Sequence, residues 1–179
     1  LTSQKRYIIA KSGTETIVSS GSEFKDIEAQ SSQFPYEIYM ISQSLFFERS
    51  DGSTKNVISG EITASGTAER TSHILCQLSS SVMELWFDGT KIASGNNTLK
   101  KPTRNNCNLY IGSRGIKTTS DTGSDNTKYF NGDLGNINIW SNAYTSDQIA
   151  NISESVNASP YIGNIFYKSG LATITHPKY

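Results

Sequence analysis

The stretch Val82-Met83-Glu84-Leu85-Trp86-Phe87, followed by Asp88-Gly89, decides the fold expected for this chain. Side chains of a β-strand point alternately to opposite faces of the sheet. One face of this strand is wholly apolar and is assigned to the core: Met83, Leu85 and Phe87. The other face carries Val82, Glu84 and Trp86. The Asp-Gly pair supplies the positive φ of a tight turn, so we expect a half-buried strand that ends in a β-hairpin.

Similar short runs of β-branched and aromatic residues recur along the chain between breaks rich in Gly, Ser and Asn. They are residues 6–10, 15–19, 36–41, 44–48, 55–63, 73–78, 82–87, 108–111, 135–140 and 164–167. This spacing is typical of an all-β sandwich or barrel. A second hairpin is expected at Asp51-Gly52, and one helical turn is expected to begin at Thr145 or Ser146 and to end near Ile152. The sequence therefore predicts an all-β, antiparallel two-sheet β-sandwich with one short helical turn.

Composition narrows the possible partners. Sixteen Lys and Arg residues balance sixteen Asp and Glu residues, so there is no global field to attract nucleic acid. The chain lacks an apolar run of the roughly 18 residues that a membrane-spanning helix needs, so we expect no membrane insertion. Its 179 residues, 35% hydrophobic, fit one domain with a real core. Two cysteines, Cys76 and Cys107, leave open either a disulfide or two unpaired thiols.

Three segments, taken together, resemble the laminin-G-like and pentraxin-like group of concanavalin A-type jelly rolls. The first is residues 73–92, the second is Leu109-Tyr110-Ile111-Gly112, and the third is residues 129–149, which begin Tyr129-Phe130-Asn131-Gly132-Asp133. The clear likeness covers residues 72–152, and a weaker one covers residues 7–51. It implies a concanavalin A-like jelly roll over residues 1–155.

Residues 156–179 extend past the usual end of such a domain. Ser169-Gly170 predicts a small β-hairpin there, and this extension resembles segments of virion structural and tail-associated proteins of bacterial viruses. The group usually begins with a strand before the position matched by Tyr7, and the chain starts at Leu1. This opening strand either lies upstream of Leu1 in a longer polypeptide or has an unrecognised form at the N-terminus.

The resemblance also implies a calcium ion at one rim, held by carboxylates, amide oxygens and carbonyls from loops. The candidate metal ligands are Asp121, Asp125 and Asn126, with Asp133 or Asp88 as neighbours. The alternative is that these residues only form turns in a Ser- and Gly-rich loop. The sequence lacks the spacing of an EF-hand.

A ligand-binding site would be built from exposed aromatic rings and polar groups on loops, because rings cover the C–H faces of sugars and amides bond to hydroxyls. The candidate ligand-binding residues are Trp86, Asp88, Tyr129, Asn131 and Tyr144. The alternative is that Trp140 and most other aromatic residues fill the core or the sheet edges.

Catalytic residues are not expected. Jelly rolls of this group that hydrolyse glucans are expected to carry acidic residues at alternating positions on one strand face, as a nucleophile and an acid. The nearest approach here is Asp26-Ile27-Glu28, interpreted as a solvated loop or edge. His73 and His176 lie in no nucleophile motif, and His73 is interpreted as a strand residue that supports the sandwich.

These observations predict a non-catalytic binding or structural module of a larger extracellular or virion-surface protein, which recognises a glycan or a protein partner through rim loops. Two alternatives stay open. One is a virus capsid or tail assembly component with no ligand of its own. The other is a glycoside hydrolase or lyase of the same fold.

Overall fold

A computed structural model describes residues 5–20, 23–30, 32–62, 72–114, 129–158, 164–166 and 171–173. Within these ranges the chain forms twelve strands and one helix. In chain order they are β1 (Arg6–Ala10), β2 (Gly13–Ser20), β3 (Glu23–Gln30), β4 (Gln33–Ile41), β5 (Ser44–Asp51), β6 (Lys55–Glu61), β7 (Ile74–Ser79), β8 (Val82–Phe87), β9 (Thr90–Asn96), β10 (Tyr110–Ile111), α1 (Ser146–Ala158), β11 (Asn164–Phe166) and β12 (Leu171–Thr173).

Two antiparallel sheets form the body of the domain. One has five strands in the order β10-β1-β4-β5-β6, and the other has three strands in the order β7-β8-β9. Strands β2 and β3 pair with each other, and so do β11 and β12. The predicted two-sheet sandwich is confirmed, and the C-terminal strands pair as expected for a hairpin.

The main core lies between the five-stranded and three-stranded sheets. Leu45 and Phe47 of β5 belong to the same buried cluster as Met83 and Leu85 of β8, and Ile8 of β1 completes it. Met83 and Leu85 lie on the face that the alternation assigned to the core. The sequence pattern of β8 therefore identified the inner face of the smaller sheet correctly.

The two sheets approach closely where β6 meets β9. A Cβ atom added to Gly60 would lie 2.8 Å from the carbonyl oxygen of Ile92, and one added to Gly95 would lie 2.8 Å from Cγ2 of Ile58. These glycines let the isoleucine side chains of the opposite strand fill the space. The close packing at this edge therefore depends on the absence of side chains at residues 60 and 95.

Each sheet also buries part of its outer face. Tyr7, Ala10 and Tyr39 form a cluster on the outer face of the five-stranded sheet. Leu75 and Trp86 of the three-stranded sheet pack with Ile149 of α1, which is fully buried. The helix therefore covers the outer face of the smaller sheet.

Helix α1 is longer than the single turn that was expected to end near Ile152, because it runs to Ala158. Thr145 and Gln148 cap its beginning. The Gln148 N–H donates to Oγ1 of Thr145 (3.3 Å), and the Thr145 N–H donates to Oε1 of Gln148 (2.9 Å). This is a capping box, and packing of Ile149 against the sheet adds stability that the polar sequence alone does not provide. The helix crosses the domain boundary predicted between residues 155 and 156.

Both predicted Asp-Gly hairpins are present. Asp88 and Gly89 have φ values of 48° and 79° and connect β8 to β9, and Gly52 has a φ of 88° between β5 and β6.

The predicted strand at residues 135–140 is wrong, because these residues form no strand. Alternation favours a strand, but a strand also needs a neighbouring strand to pair with, and no described strand pairs with residues 135–140. The segment Asp26-Ile27-Glu28, interpreted as a loop or edge, lies within β3.

Cys76 and Cys107 are not joined by a disulfide. Cys76 packs against the inter-sheet core, and burial raises the pKa of its thiol. Of the two alternatives left open by the sequence, the structure supports the thiols. The helix in the described ranges is too short and too polar to cross a membrane.

The close approach of β6 and β9 gives a test of the sandwich. Gly60→Ala should lower the free energy of unfolding by about 1–3 kcal/mol, because the added methyl group overpacks against Ile92. Thermal or urea unfolding measures the change. Gly135→Ala is the matched control, since a Cβ there meets no atom within 4 Å. Equal stability of the two variants would contradict the inferred contact between the sheets.

Candidate binding site

An exposed indole ring lies beside the helix-covered face of the three-stranded sheet. Trp140 is 47% exposed, and its ring meets Tyr144 edge to face, with 5.1 Å between ring centroids and 87° between planes. Tyr144 in turn packs against the buried cluster of Leu75, Trp86 and Ile149. The indole is therefore supported along one side and open to solvent on another, which is the arrangement of a rigid aromatic anchor.

The position of Tyr144 is fixed by Gln77 of β7. The Tyr144 N–H donates to Oε1 of Gln77 (2.9 Å), and Nε2 of Gln77 donates to the Tyr144 carbonyl oxygen (3.1 Å). One side-chain amide thus satisfies both backbone groups of Tyr144. The segment that carries the aromatic pair is tied to the sheet just before α1 begins.

Glu84 of β8 extends this network. Its Oε2 accepts from Nε2 of Gln77 (2.6 Å) and from the indole N–H of Trp86 (3.2 Å), and its Oε1 accepts from Nζ of Lys91 (2.6 Å). Partial burial on its own would raise the pKa of Glu84, but the hydrogen bonds from Lys91, Gln77 and Trp86 lower it. Glu84 is therefore ionised at neutral pH and oriented by three donors.

Strand register places these groups side by side. Gln77 is opposite Glu84 in the pairing of β7 with β8, and Trp86 is opposite Lys91 in the pairing of β8 with β9. The Lys91 ammonium lies 4.9 Å from the centroid of the Trp86 ring. We call the set formed by Trp140, Tyr144, Gln77, Glu84 and Lys91 the Trp140 surface. It combines an exposed ring with amide, carboxylate and ammonium groups.

The residues predicted to bind a ligand lie in different environments. Trp86 is only 6% exposed and is packed beneath α1, so its ring does not fit the exposed role assigned to it.

The other predicted residues lie elsewhere. Asp88 has positive φ in the hairpin turn, and its Oδ1 accepts the backbone N–H of His73 (2.8 Å). Tyr129 is 52% exposed and forms a bridge with Tyr7 of β1. Asn131 is exposed. Tyr144 alone belongs to the Trp140 surface.

The other four members of that surface were missed by sequence reasoning. Core or edge packing was the alternative considered for Trp140, and a ring that is 47% exposed does not fit the core. Gln77 and Glu84 fall at outward positions of two neighbouring strands, a signal present in the sequence. Their alignment depends on strand pairing, which the sequence did not reveal.

The predicted calcium ligands Asp121, Asp125 and Asn126 lie outside the described residues. Of their proposed neighbours, Asp88 is engaged by His73 and Asp133 is exposed. Among the residues that the structure describes, no three His, Cys, Asp or Glu side chains come together as a metal site. Calcium binding stays a prediction.

Two carboxylates lie next to each other on the outer face of the five-stranded sheet. Glu37 of β4 is opposite Glu48 of β5, and their side chains are 1% and 4% exposed. The two acids lie on different strands, so the pair does not appear as alternating acidic residues along one strand of the sequence. Residues directly opposite on neighbouring strands lie on the same face, so both carboxylates belong to the outer face.

Each carboxylate of this pair is bound by cations. Glu37 bonds to the Arg114 guanidinium (2.7 Å) and to the Ser12 hydroxyl. Glu48 bonds to Lys5 (3.3 Å) and Lys55 (3.1 Å). A glycoside hydrolase needs one carboxyl that stays protonated at working pH. Two carboxylates paired with cations do not match that requirement.

Tyrosines complete this outer-face cluster. The Tyr39 hydroxyl donates to Oε2 of Glu48 (2.9 Å), and the Arg114 guanidinium donates to the Tyr7 hydroxyl (3.1 Å). Burial raises the pKa of Tyr7 to about 12, and Glu37 adds to the increase. Burial also favours the neutral form of Glu48, but Lys5, Lys55 and Tyr39 outweigh it and lower the pKa of Glu48. Both tyrosines are therefore neutral and Glu48 is charged at neutral pH.

His73 joins the helix to the small sheet. Its Nδ1 lies 2.7 Å from Oγ of Ser153, which is 2% exposed within α1. Asp88 accepts the backbone N–H of His73 instead of a ring N–H, so the three residues do not have the geometry of a catalytic triad. The position matches the predicted supporting role of His73.

A comparison with protein-family models agrees with this architecture. A laminin-G-type family model described as the concanavalin A-like lectin/glucanases superfamily matches residues 7–150. A search of curated proteins gives no significant match. Among solved structures, a crystal structure of residues 221–444 of an S-layer domain-containing protein from Clostridium thermocellum ATCC 27405 is similar over 78% of this chain and 63% of that one, with 18% identity and a TM-score of 0.35. That likeness is too weak to support an argument about function.

The His73 contact predicts a dependence of stability on pH. Burial lowers the pKa of His73 more than Asp88 raises it, so the folded state releases the ring proton more readily than the unfolded chain does. The stability contribution is complete above the unfolded pKa of about 6.5. It should decrease as the pH falls through the folded pKa.

Chemical denaturation between pH 7.5 and 5 measures this decrease. The control is His73→Gln, which lacks the titrating ring and should show a flatter profile over the same interval. A profile of the variant as steep as that of the unmodified chain would assign the effect to another group.

Proposed function

The chain belongs to the concanavalin A-like lectin/glucanases superfamily, and on this premise we propose that it is a non-catalytic binding module that recognises a glycan through the Trp140 surface. The proposal places it in a larger protein outside the cytoplasm, on a cell or virion surface. The half-exposed Trp140 ring, held by Tyr144 and Gln77, is the observation that carries it.

The physical argument is one of preorganisation. An exposed indole offers a flat apolar face for the C–H groups of a sugar ring, and little side-chain entropy is lost because Tyr144 already restrains it. Glu84 of β8 and Lys91 of β9 pair with each other, and a sugar hydroxyl would share their remaining acceptor and donor capacity. Gln77 is engaged with the backbone of Tyr144, so its role is to position the site.

A protein partner is the second candidate for the same surface. Ile137 and Ile139 are 40% and 59% exposed and precede Trp140 in the chain. Exposed aliphatic residues beside an aromatic anchor are typical of protein interfaces. They would contribute little to a glycan site, because sugars stack on flat rings.

A hydrolase has the least support. The carboxylates of Glu37 and Glu48 are opposite each other on neighbouring strands, but both are bound by cations, which does not fit a catalytic acid. A virus capsid or tail assembly component with no ligand of its own remains an alternative. This alternative concerns the role of the larger protein that would contain the module.

Trp140→Ala should weaken glycan binding by about ten-fold or more, since loss of a central aromatic anchor costs about 2 kcal/mol. Glycan-array screening identifies a ligand, and isothermal titration then measures the affinity of each variant. Tyr129→Ala is the matched control, because Tyr129 is similarly exposed and lies outside the Trp140 surface. A loss of affinity in Tyr129→Ala with none in Trp140→Ala would refute the proposal and favour the loop residues predicted from the sequence.

The same titrations separate the two candidates. Ile139→Ser should leave glycan affinity unchanged and should weaken a protein complex. Release of reducing ends from glucans by the unmodified chain, abolished in Glu37→Gln, would contradict a non-catalytic module.

A further inference from the structure

Charge is unevenly distributed along this neutral chain. Residues 89–120 contain six Lys and Arg residues and no Asp or Glu. Their centre is the connection between β9 and β10, residues 97–109, which carries Lys100, Lys101 and Arg104. We call this connection the basic loop.

The backbone of the basic loop is held by Asp51 at the end of β5. Oδ2 of Asp51 accepts the N–H groups of Lys100 (3.0 Å) and Lys101 (3.2 Å), while Oδ1 accepts those of Ser53 (2.9 Å) and Thr54 (2.7 Å). These four hydrogen bonds lower the pKa of Asp51, with those from Thr54 and Ser53 acting most strongly. The carboxylate is 4% exposed, so it organises the loop from below.

Gln33 fixes the next part of the same loop. Its Nε2 donates to the carbonyl oxygens of Pro102 (2.7 Å) and Arg104 (2.8 Å). The backbone from residue 100 to residue 104 is therefore anchored to β4 and β5. A surface of this kind loses little entropy when it binds a ligand.

The cationic side chains of the loop point outward. Lys100, Lys101 and Arg104 are exposed, and Nζ of Lys101 lies 2.8 Å from the Ser53 hydroxyl. In the described part of the chain none of the three forms an ion pair with a carboxylate. Their charges are therefore available to an external anion.

A fourth cation lies beneath the loop. The Arg49 guanidinium donates from Nη2 to the Thr103 hydroxyl (3.2 Å) and from Nε to the Pro35 carbonyl (2.8 Å), while its Nη1 is buried without a hydrogen-bond acceptor. An arginine keeps its charge in such surroundings. Arg49 forms no ion pair with a carboxylate among the described residues, so its charge adds to the positive field at the loop.

We propose that the basic loop is a second binding surface, for a polysaccharide that carries carboxylate groups. Carboxylates fit the planar guanidinium of Arg104 and the lysine ammonium groups. Three exposed cations on a chain of net charge zero suit a polymer of moderate charge density better than a nucleic acid, which is held by many phosphate contacts. This inference does not depend on the Trp140 surface.

The test compares binding of polygalacturonate and neutral dextran to the purified chain by affinity electrophoresis, at about 50 mM and 300 mM salt. The unmodified chain should be retarded by polygalacturonate at low salt and released at high salt, with no retardation by dextran. The triple variant Lys100→Ser, Lys101→Ser, Arg104→Ser should lose at least ten-fold in affinity. Serine keeps the backbone N–H groups that Asp51 accepts, and thermal unfolding verifies that the variant is folded.

Two controls make the outcome specific. Arg6→Ser removes one exposed charge on β1, and Lys100→Ser removes one from the loop, so only the second should weaken binding. Trp140→Ala should bind polygalacturonate like the unmodified chain, which separates this surface from the proposed glycan site. The inference is overturned if the unmodified chain does not bind polygalacturonate, if the triple variant binds as tightly, or if single-stranded DNA binds more tightly than polygalacturonate.

Discussion

Packing of β5 against β8 is the contact on which the rest of the structure depends. Leu45 and Phe47 from one sheet and Met83 and Leu85 from the other are all buried in the same cluster, which joins the two sheets into one sandwich. A two-layer β protein buries one face of each sheet and leaves the other face to be covered by other elements or by solvent. Once Met83 and Leu85 face inward, Glu84 and Trp86 must face outward. The helix then covers Trp86, whereas Glu84 takes part in the Trp140 surface.

Pairing of outward positions on neighbouring strands explains two polar clusters among the described residues. Gln77 and Glu84 meet because β7 and β8 pair in that register, and Glu37 and Glu48 meet because β4 and β5 do. The two clusters differ in their surroundings. Glu37 and Glu48 are almost completely buried and bound by Arg114, Lys5 and Lys55, so they stabilise the outer face only while every partner is present. Glu84 is less deeply buried, and Gln77 links it to the backbone of Tyr144, whose ring supports Trp140.

Surface charge adds a second level of organisation. The net charge of zero led us to expect no attraction of nucleic acid to the chain. The distribution is uneven, however, because the acid-free segment places three exposed cations on one anchored loop. The Asp51 carboxylate beneath the loop directs its oxygens to backbone N–H groups rather than to the cationic side chains. A neutral protein can thus present a local positive surface.

The sequence by itself determined the layers. Alternation in β8, the Asp-Gly turns and the spacing of the short runs predicted the two-sheet sandwich, because these features depend on backbone geometry and on near neighbours in the chain. Tertiary structure decided which outward residues meet. Trp86 and Trp140 could not be assigned correctly from the pattern: burial of Trp86 depends on where α1 packs, and exposure of Trp140 depends on residues 135–140 finding no strand partner. Such contacts join residues far apart in the chain, so strand order, register and helix docking decide the candidate sites.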